Sequence, residues 1–421
     1  MSESPTGPAR AYLDHAATSP LRPEVWRAME AALGEADYNP ASPHGFGTGA
    51  GARLEEARRR LASLLGAPRA AVRFTSGGTT ADNLAVLGFA RACRERKPVL
   101  LVSAVEHKAV LESARRAESE GARLEVLPVD GNGRLRLEEL EDALSAAEEA
   151  PCLVSLMWAN NEVGTVQPVA DAARLAHERG AVLHTDAVQG FGKVPVSFAD
   201  SGADLLTVTA HKLGGPVGIG ALVVREGTDL EPLTFGGSQE RGLWPGTQNP
   251  LAAMGFAEAA RLAVESLPGS ADRWRGLRDR LASVLVDAIP DARIHGEGAP
   301  ERLPNLVSVG IPGVDTGELL VSLDLEGIAV SSGSACSSGS HELSHVLAAM
   351  GIEVPDSEPY GVLRFSLGPS TTEEEVERAG RVAARIARRL GTRTPAGSGA
   401  RVGSGGSTGS SASAPPSASG A

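Results

Sequence analysis

Between Val72 and Val224 the chain alternates short runs of β-branched and aliphatic residues with amphipathic stretches. This alternation is typical of βαβ units, which place parallel strands in one sheet and helices on its faces. We therefore predict an α/β fold with a mostly parallel, seven-stranded sheet. The predicted strands span residues 72–74, 99–103, 124–129, 153–158, 181–185, 205–209 and 219–224.

Beyond this region the pattern changes. A long helix is predicted over residues 251–289, where Trp274, Leu277, Leu281 and Leu285 repeat at helical spacing. Strands at 306–311 and 362–367 and helices at 317–326 and 372–390 then predict a smaller α+β domain. We assign residues 21–254 to the large domain and residues 1–20 and 255–393 to the small one. Residues 394–421 are rich in Ser and Gly and are predicted to be disordered, because they offer too little apolar surface to offset the entropy of ordering.

The amino-acid composition argues against several classes of protein function. With 52 acidic and 40 basic residues the net charge is -12, which argues against direct binding to a nucleic acid backbone. No run approaches the ~18 apolar residues of a membrane span, and the N-terminus lacks a signal pattern. Three scattered cysteines neither form a disulfide framework nor show metal-binding spacing. We expect a cytoplasmic enzyme whose partners are small molecules or proteins.

Glycines and hydroxyl residues lie where the first predicted strand turns into a helix. The turn contains Ser76, Gly77, Gly78 and Thr79. Free backbone N–H groups at a helix N-terminus favour an anion, so one interpretation is a phosphate site. The alternative is an ordinary capped βα loop, since the same residue types are preferred there.

Two further residues follow predicted strands. Lys212 stands before a Gly-Gly-Pro turn, and a partly buried lysine amine can lose its proton and attack an aldehyde, which an arginine cannot do. Asp186 ends the strand at 181–185, with Gln189 three residues on, and a carboxylate there could pair with a pyridinium nitrogen. The alternatives are a surface lysine beside a turn and a helix-capping aspartate.

The second half of the chain adds a thiol and a guanidinium. Cys336 lies in a run of serines and glycines that would let a nucleophile travel without repacking a core. Cys93 and Cys152 fall in apolar segments, and we interpret them as structural. Arg364 in a predicted strand could hold a carboxylate in bidentate fashion, or it could pair with one of the many acidic side chains.

Taken together and in this order, the motifs resemble those of the cysteine desulfurases, pyridoxal-phosphate (PLP) enzymes of the class V aminotransferase group. The resemblance runs from Tyr12 to about Leu390. Besides the segments above it includes YLDHAATSP, NPASPHGFG, EHKAV, NNEVG and QERGLWPGTQN. It implies the PLP fold type I and an enzyme that takes sulfur from L-cysteine, leaving alanine and a persulfide on Cys336.

The resemblance also implies a role for each matching residue. Lys212 would form the Schiff base with PLP, Asp186 would pair with its ring nitrogen, and His107 would stack on the ring and handle protons. Arg364 and Asn39 would bind the substrate carboxylate. The resemblance also implies that Asn161 and Gln189 contact the phenolic oxygen of the cofactor. It implies that the phosphate is bound by Gly78, Thr79, Thr209, His211 and, from a neighbouring subunit of a homodimer, Thr247.

The Ser/Gly run resembles the branch of the family with a long SSGSAC loop, which delivers the persulfide to a sulfur-acceptor or scaffold protein. The acceptor could serve iron–sulfur cluster assembly, tRNA thiolation or another sulfur-modification pathway. The sequence departs from the family at Gly78, where Ala is usual, at Thr80, where Glu is usual, and at Trp244 and Pro245. Alternatives are a related PLP lyase or aminotransferase acting on another amino acid, such as selenocysteine, and a catalytically silent scaffold.

Overall fold

The computed structural model describes residues 10–333, 343–354 and 358–391. Its centre is a seven-stranded sheet that contains every strand predicted between Val72 and Val224, so the predicted α/β class is confirmed. The strands are β1 Ala11–Tyr12, β2 Val72–Thr75, β3 Val99–Ser103, β4 Arg123–Leu127, β5 Cys152–Ser155, β6 Val182–Asp186, β7 Leu205–Thr209, β8 Gly220–Val224, β9 Arg293–Ile294, β10 Leu306–Pro312, β11 Ile328–Ala329 and β12 Tyr360–Ser366.

The strand order in this sheet brings several strand ends together. The order is β2-β8-β7-β6-β5-β3-β4, and only β8 runs antiparallel to its neighbours. Because β8 is antiparallel to both β2 and β7, those two strands run in the same direction as β6, β5 and β3. Their carboxyl ends therefore share one edge of the sheet, which is where open α/β sheets place ligands.

The helices cover both faces of the sheet. They are α1 Pro23–Ala32, α2 Gly45–Leu64, α3 Gly78–Ala92, α4 Lys108–Ser119, α5 Leu137–Ala146, α6 Val169–Glu178, α7 Phe198–Ser201, α8 Pro250–Ala288, α9 Thr316–Leu325, α10 His345–Ala349 and α11 Glu373–Gly391. Helix α3 is buried along most of its length, since residues such as Leu84 and Phe89 pack between the sheet and α4. This burial fixes the start of α3 against the sheet edge.

A second core lies around the three-stranded sheet β12-β10-β9 and the helices α9 and α11. The first half of the 39-residue helix α8 packs in the main core through Phe256, and its second half packs in the second core through Leu281. The domain boundary predicted between residues 254 and 255 lies inside this helix. Strand β1 pairs in parallel with β11, which ties the N-terminal segment to the second core.

The predicted bounds of these elements lie within two residues of the observed ones, except at the end of one strand. The strand predicted at 153–158 ends at Ser155. Beyond it the Met157 N–H donates to the Glu106 carboxylate at 2.5 Å, although Leu156 and Trp158 still donate to backbone oxygens of β6. Among the described residues, no helix has both the length and the apolarity to cross a bilayer.

We expect Leu281→Ala to destabilise the protein by about 2–5 kcal/mol, because it removes a fully buried side chain of the second core and leaves a cavity. The midpoint of urea unfolding, followed by fluorescence, measures the effect. Leu325→Ala is the matched control, since Leu325 is 78% exposed and should change stability by no more than about 0.5 kcal/mol. Equal shifts for the two variants would contradict the assignment of this core.

Candidate active site

A cavity of about 450 Å³ opens at the carboxyl edge of the main sheet. A volume of this size suits a small organic ligand. Most of the side chains singled out in the sequence line it, although they come from segments more than 250 residues apart. These are Gly78, Thr79, His107, Asn161, Asp186, Gln189, Thr209, His211, Lys212 and Arg364.

One end of the cavity is built to receive an anion. Helix α3 begins at Gly78 directly against the cavity, so its first backbone N–H groups lack helical acceptors. A Cβ at residue 78 would lie 3.0 Å from Val188 Cγ2, so the glycine lets α3 approach the segment that follows β6. Thr80 hydrogen-bonds to Ser76 across the first turn at 2.7 Å. A hydroxyl pair thus supports the first turn of α3.

The Lys212 amine lies opposite, just past the end of β7. Its Nζ donates to the Ala16 and Ala17 carbonyl oxygens at 2.7 and 2.6 Å. Burial lowers the pKa of Lys212 to about 8, and the positive charge of Arg364 adds to the effect while Asp186 opposes it. Near neutral pH a fraction of this amine is therefore unprotonated and nucleophilic.

Two buried carboxyl groups form the floor of the cavity. Asp186 ends β6 and accepts from the Val188 N–H at 2.8 Å through Oδ1. Burial raises the pKa of Asp186, although the charges of His107 and Lys212 oppose the rise. Asp82, on α3, has its pKa raised well above the usual range by burial and by the charge of Asp186. A cationic group bound here would be stabilised by these carboxyls.

His107 and His345 stand at the mouth of the cavity. His107 caps α4 by accepting the Ala109 N–H at its Nδ1 (3.1 Å), so a neutral ring carries its proton on Nε2. Desolvation lowers the pKa of His107, although the ring still faces the open cavity, and the charge of Asp186 opposes the change. His345 Nε2 lies 2.9 Å from the Glu106 carbonyl oxygen and must donate to it. The His107 ring can therefore be neutral and exchange a proton at Nε2.

Arg364 lies at the other end, with only 2% of its surface exposed. Its guanidinium donates to the carbonyl oxygens of Asn161 and Gly333 at 3.0 Å and to the Asp14 carboxylate at 2.8 Å. A carboxylate already occupies one side of the guanidinium, and a ligand carboxylate would share or replace it. The pairing with an acidic side chain that the sequence left open is thus present, and the arginine still lines the cavity.

Three predicted residues are not brought to the cavity by the described chain. Asn39 is exposed and its Oδ1 accepts the Ala41 N–H at 3.0 Å, and Thr247 is also exposed. Neither lines the cavity. Cys336 lies outside the described residues. The two described cysteines are buried in the core, and burial raises the pKa of Cys152 to about 12 and raises that of Cys93 as well.

Sequence reasoning missed four residues of the site. Asp82 was recoverable, because it lies one helical turn after Gly78. Glu162 and His345 also line the cavity; Glu162 lies in the NNEVG segment but was given no role, and nothing in the local sequence marks His345. Asp14 meets Arg364 across 350 positions of the chain, a pairing that no local pattern predicts.

Known proteins resemble this chain in sequence and in fold. Residues 11–379 match the family model described as aminotransferase class-V. The cysteine desulfurase IscS of Dictyoglomus turgidum is 41% identical over 91% of this chain and 96% of the relative. A solved NifS-like protein has a TM-score of 0.83 and 36% identity over 91% of this chain and all of its own. A solved structure of SspA in complex with cysteine has a TM-score of 0.73 and 30% identity over 86% of this chain and all of its own.

We expect the Lys212 amine to react with a small aldehyde and a reductant in protein freed of bound small molecules, with a rate that reaches half its maximum near pH 8. Below that pH the amine is protonated and does not attack. Peptide mass spectrometry measures the modification between roughly pH 6 and pH 11, a range that includes the pKa of an ordinary lysine side chain, about 10.4. A lysine in a model peptide is the reference, and a Lys212 rate that follows this reference to high pH would contradict the lowered pKa.

Proposed function

Because the chain belongs to the class V aminotransferase family and is a cysteine desulfurase, we propose that it works through PLP held at Lys212 and through the thiol of Cys336. One observation carries this proposal. An amine of lowered pKa, a buried carboxyl of raised pKa and the N-terminus of α3 face a single cavity. The pyridoxal aldehyde, the ring nitrogen and the phosphate need these three groups.

The residues present fit the cofactor. When bound, PLP supplies an aldehyde that links to an amine and a ring that accepts electron density from the substrate. Asp186 would hold the protonated ring nitrogen, since a positive partner offsets the cost of burying this carboxylate. The backbone at Gly78 and Thr79, with Thr209 and His211, would hold the phosphate. His107 would stack on the ring, and Asn161 and Gln189 would contact its phenolic oxygen.

The chain's own residues also suit the proton transfers. Lys212 has a pKa of about 8, so it can both accept and return a proton near neutral pH. His107, with Nδ1 committed to the Ala109 N–H, can exchange a proton only at Nε2. These two groups line the same cavity, and we assign them the transfers at the substrate carbon atoms.

Arg364 is proposed to receive the carboxylate of L-cysteine. Its guanidinium is nearly fully buried, so a charge-assisted pair formed there is little screened by solvent. The two backbone acceptors at Asn161 and Gly333 hold the fork in place from one side. Asn39 is proposed as a second contact of this carboxylate, although it does not line the cavity of a single chain.

Cys336 is proposed as the nucleophile. Its thiolate would attack the substrate sulfur, forming an S–S bond while the C–S bond breaks and its electron pair stays on the carbon. That carbon takes a proton and alanine leaves. Chain connectivity supports the assignment: Cys336 follows Gly333 by three residues, so the two Cα atoms lie within roughly 11 Å, and Gly333 lines the cavity. The other two thiols are buried with raised pKa values.

A second copy of the chain is proposed to complete the phosphate site with Thr247. Within one chain Thr247 is exposed and lies outside the cavity lining. Large apolar side chains are exposed as well, with Val217 at the rim 76% exposed and Phe235 82% exposed. A homodimer would cover them. The persulfide would pass to an acceptor protein, and the free state of Cys93 and Cys152 suits a reducing compartment such as the cytoplasm.

We expect Cys336→Ala to lower alanine formation from cysteine, in the presence of a reductant, by at least about 100-fold. The visible absorption band of the bound cofactor should be unchanged, because the thiol does not hold the cofactor. Cys93→Ala is the matched control and should keep its activity, since that thiol is buried in the core. Undiminished alanine formation by Cys336→Ala would contradict the proposed nucleophile.

A further inference from the structure

A second lysine lies buried behind the cavity. Lys193 is only 4% exposed, and its Nζ donates to the Gln189 carbonyl oxygen at 3.2 Å and to the Gln189 side-chain Oε1 at 3.0 Å. Among the described residues it forms no ion pair with a carboxylate. A buried amine without an ionic partner is costly, so its retention needs a reason other than a salt bridge.

The turn after β6 explains how Lys193 reaches this position. Gly190 packs under Trp158, where a Cβ would lie 2.7 Å from the indole ring, and Gly192 has a φ of 73°. The two glycines bend the chain so that the Lys193 N–H donates to the Gly190 carbonyl oxygen at 3.0 Å. The Lys193 side chain thus lies against Gln189, four residues earlier.

The contacts of Gln189 determine which of its atoms faces the cavity. Its Oε1 accepts from Lys193, and its Nε2 donates to the Ala16 carbonyl oxygen at 2.8 Å. The same Ala16 oxygen accepts from Lys212 at 2.7 Å. An amide nitrogen carries two hydrogens, so one remains for a ligand in the cavity that Gln189 lines. The amide oxygen, in contrast, is already engaged behind the cavity wall.

We infer that Lys193 is a positioning residue that fixes the Gln189 amide with its nitrogen toward the ligand, so that Gln189 donates to a negatively charged oxygen of the cofactor ring. The inference rests on the proposed function, because it assumes that the cofactor binds in this cavity. Either protonation state of Lys193 can donate to Oε1. Without Lys193 the amide would be held only by the hydrogen bond from Nε2 to the Ala16 carbonyl oxygen, and a turn of the amide would bring its oxygen toward the anion, where it would repel it.

Several charged groups surround Lys193. Lys212 and Asp186 lie on the cavity side, and His15 and Arg22 share with Lys193 a small pocket of about 20 Å³ behind it. Burial lowers the pKa of Lys193 to about 7, with the charge of Lys212 adding to the effect and Asp186 opposing it. Burial also lowers the pKa of His15 to about 4, so this ring is neutral at physiological pH. The charges that act on Lys193 thus come mainly from Lys212 and Asp186.

The test is a pH titration of the visible absorption band of the cofactor-loaded protein. We expect Lys193→Met to raise the midpoint of this titration by roughly one unit, the size expected for one hydrogen bond to a charged group. Loss of the Gln189 donor and loss of a nearby positive charge both favour the protonated state, so the two contributions have the same sign. Lys97→Met, which removes an exposed lysine, is the matched control and should leave the midpoint unchanged.

A double-mutant cycle separates positioning from charge. In a Gln189→Leu background the shift caused by Lys193→Met should fall by more than half, because the residue on which Lys193 acts is gone. A shift that persists in full would overturn the inference and leave Lys193 acting by its charge alone. No shift in Lys193→Met would also overturn it.

Two further arms keep the result interpretable. If Lys193→Met does not fold, Lys193→Gln carries the test, since it removes the charge, shortens the donor and should raise the midpoint by a smaller amount. A midpoint unchanged in that variant would count against the inference. If the unaltered protein shows no visible band after loading with PLP, the proposed function itself fails. A normal absorption band whose titration midpoint does not change when Lys193 is substituted would contradict only the proposed role of Lys193.

Discussion

The backbone carbonyls of Ala16 and Ala17 hold the Lys212 amine at 2.7 and 2.6 Å inside a largely buried cavity. This placement keeps the amine away from bulk water, and desolvation is the main cause of its lowered pKa. An amine that stayed fully protonated could not attack an aldehyde. The chemistry of the site therefore depends on how firmly the segment around Ala16 is fixed.

That segment, residues 14–19, joins the two cores of the protein. On one side Asp14 pairs with Arg364, and the Ala16 N–H donates to Ser366 Oγ at 2.8 Å. On the other side the Ala16 carbonyl oxygen accepts from Gln189 as well as from Lys212. The groups proposed to hold the substrate and the cofactor thus share one stretch of backbone. A shift of these residues would change the positions of the Lys212 amine and the Arg364 guanidinium together.

Much of the site could be predicted from the sequence because its residues follow strands. Asp186 ends β6 and Lys212 comes three residues after β7, and parallel strands bring their carboxyl ends to one edge whatever the loops contain. The spacing of apolar residues was enough to find those strands.

The other residues of the site meet through long-range contacts that the spacing of apolar residues does not predict. Asp14 reaches Arg364 because its backbone pairs with Ser366, two residues further along β12. Lys193 reaches Gln189 through a turn that contains two glycines. The four-residue spacing between Gln189 and Lys193 is visible in the sequence, but it matches no chemical motif. Thr247 and Asn39 do not line the cavity of a single chain.

The most direct measurement is to locate the covalent attachment of the cofactor. Purified protein loaded with PLP is treated with borohydride to fix the link, digested, and analysed by peptide mass spectrometry. The account predicts the cofactor-derived mass on the peptide that contains Lys212 and on no other lysine. Attachment at Lys97, Lys108 or Lys193, or no attachment at all, would contradict it.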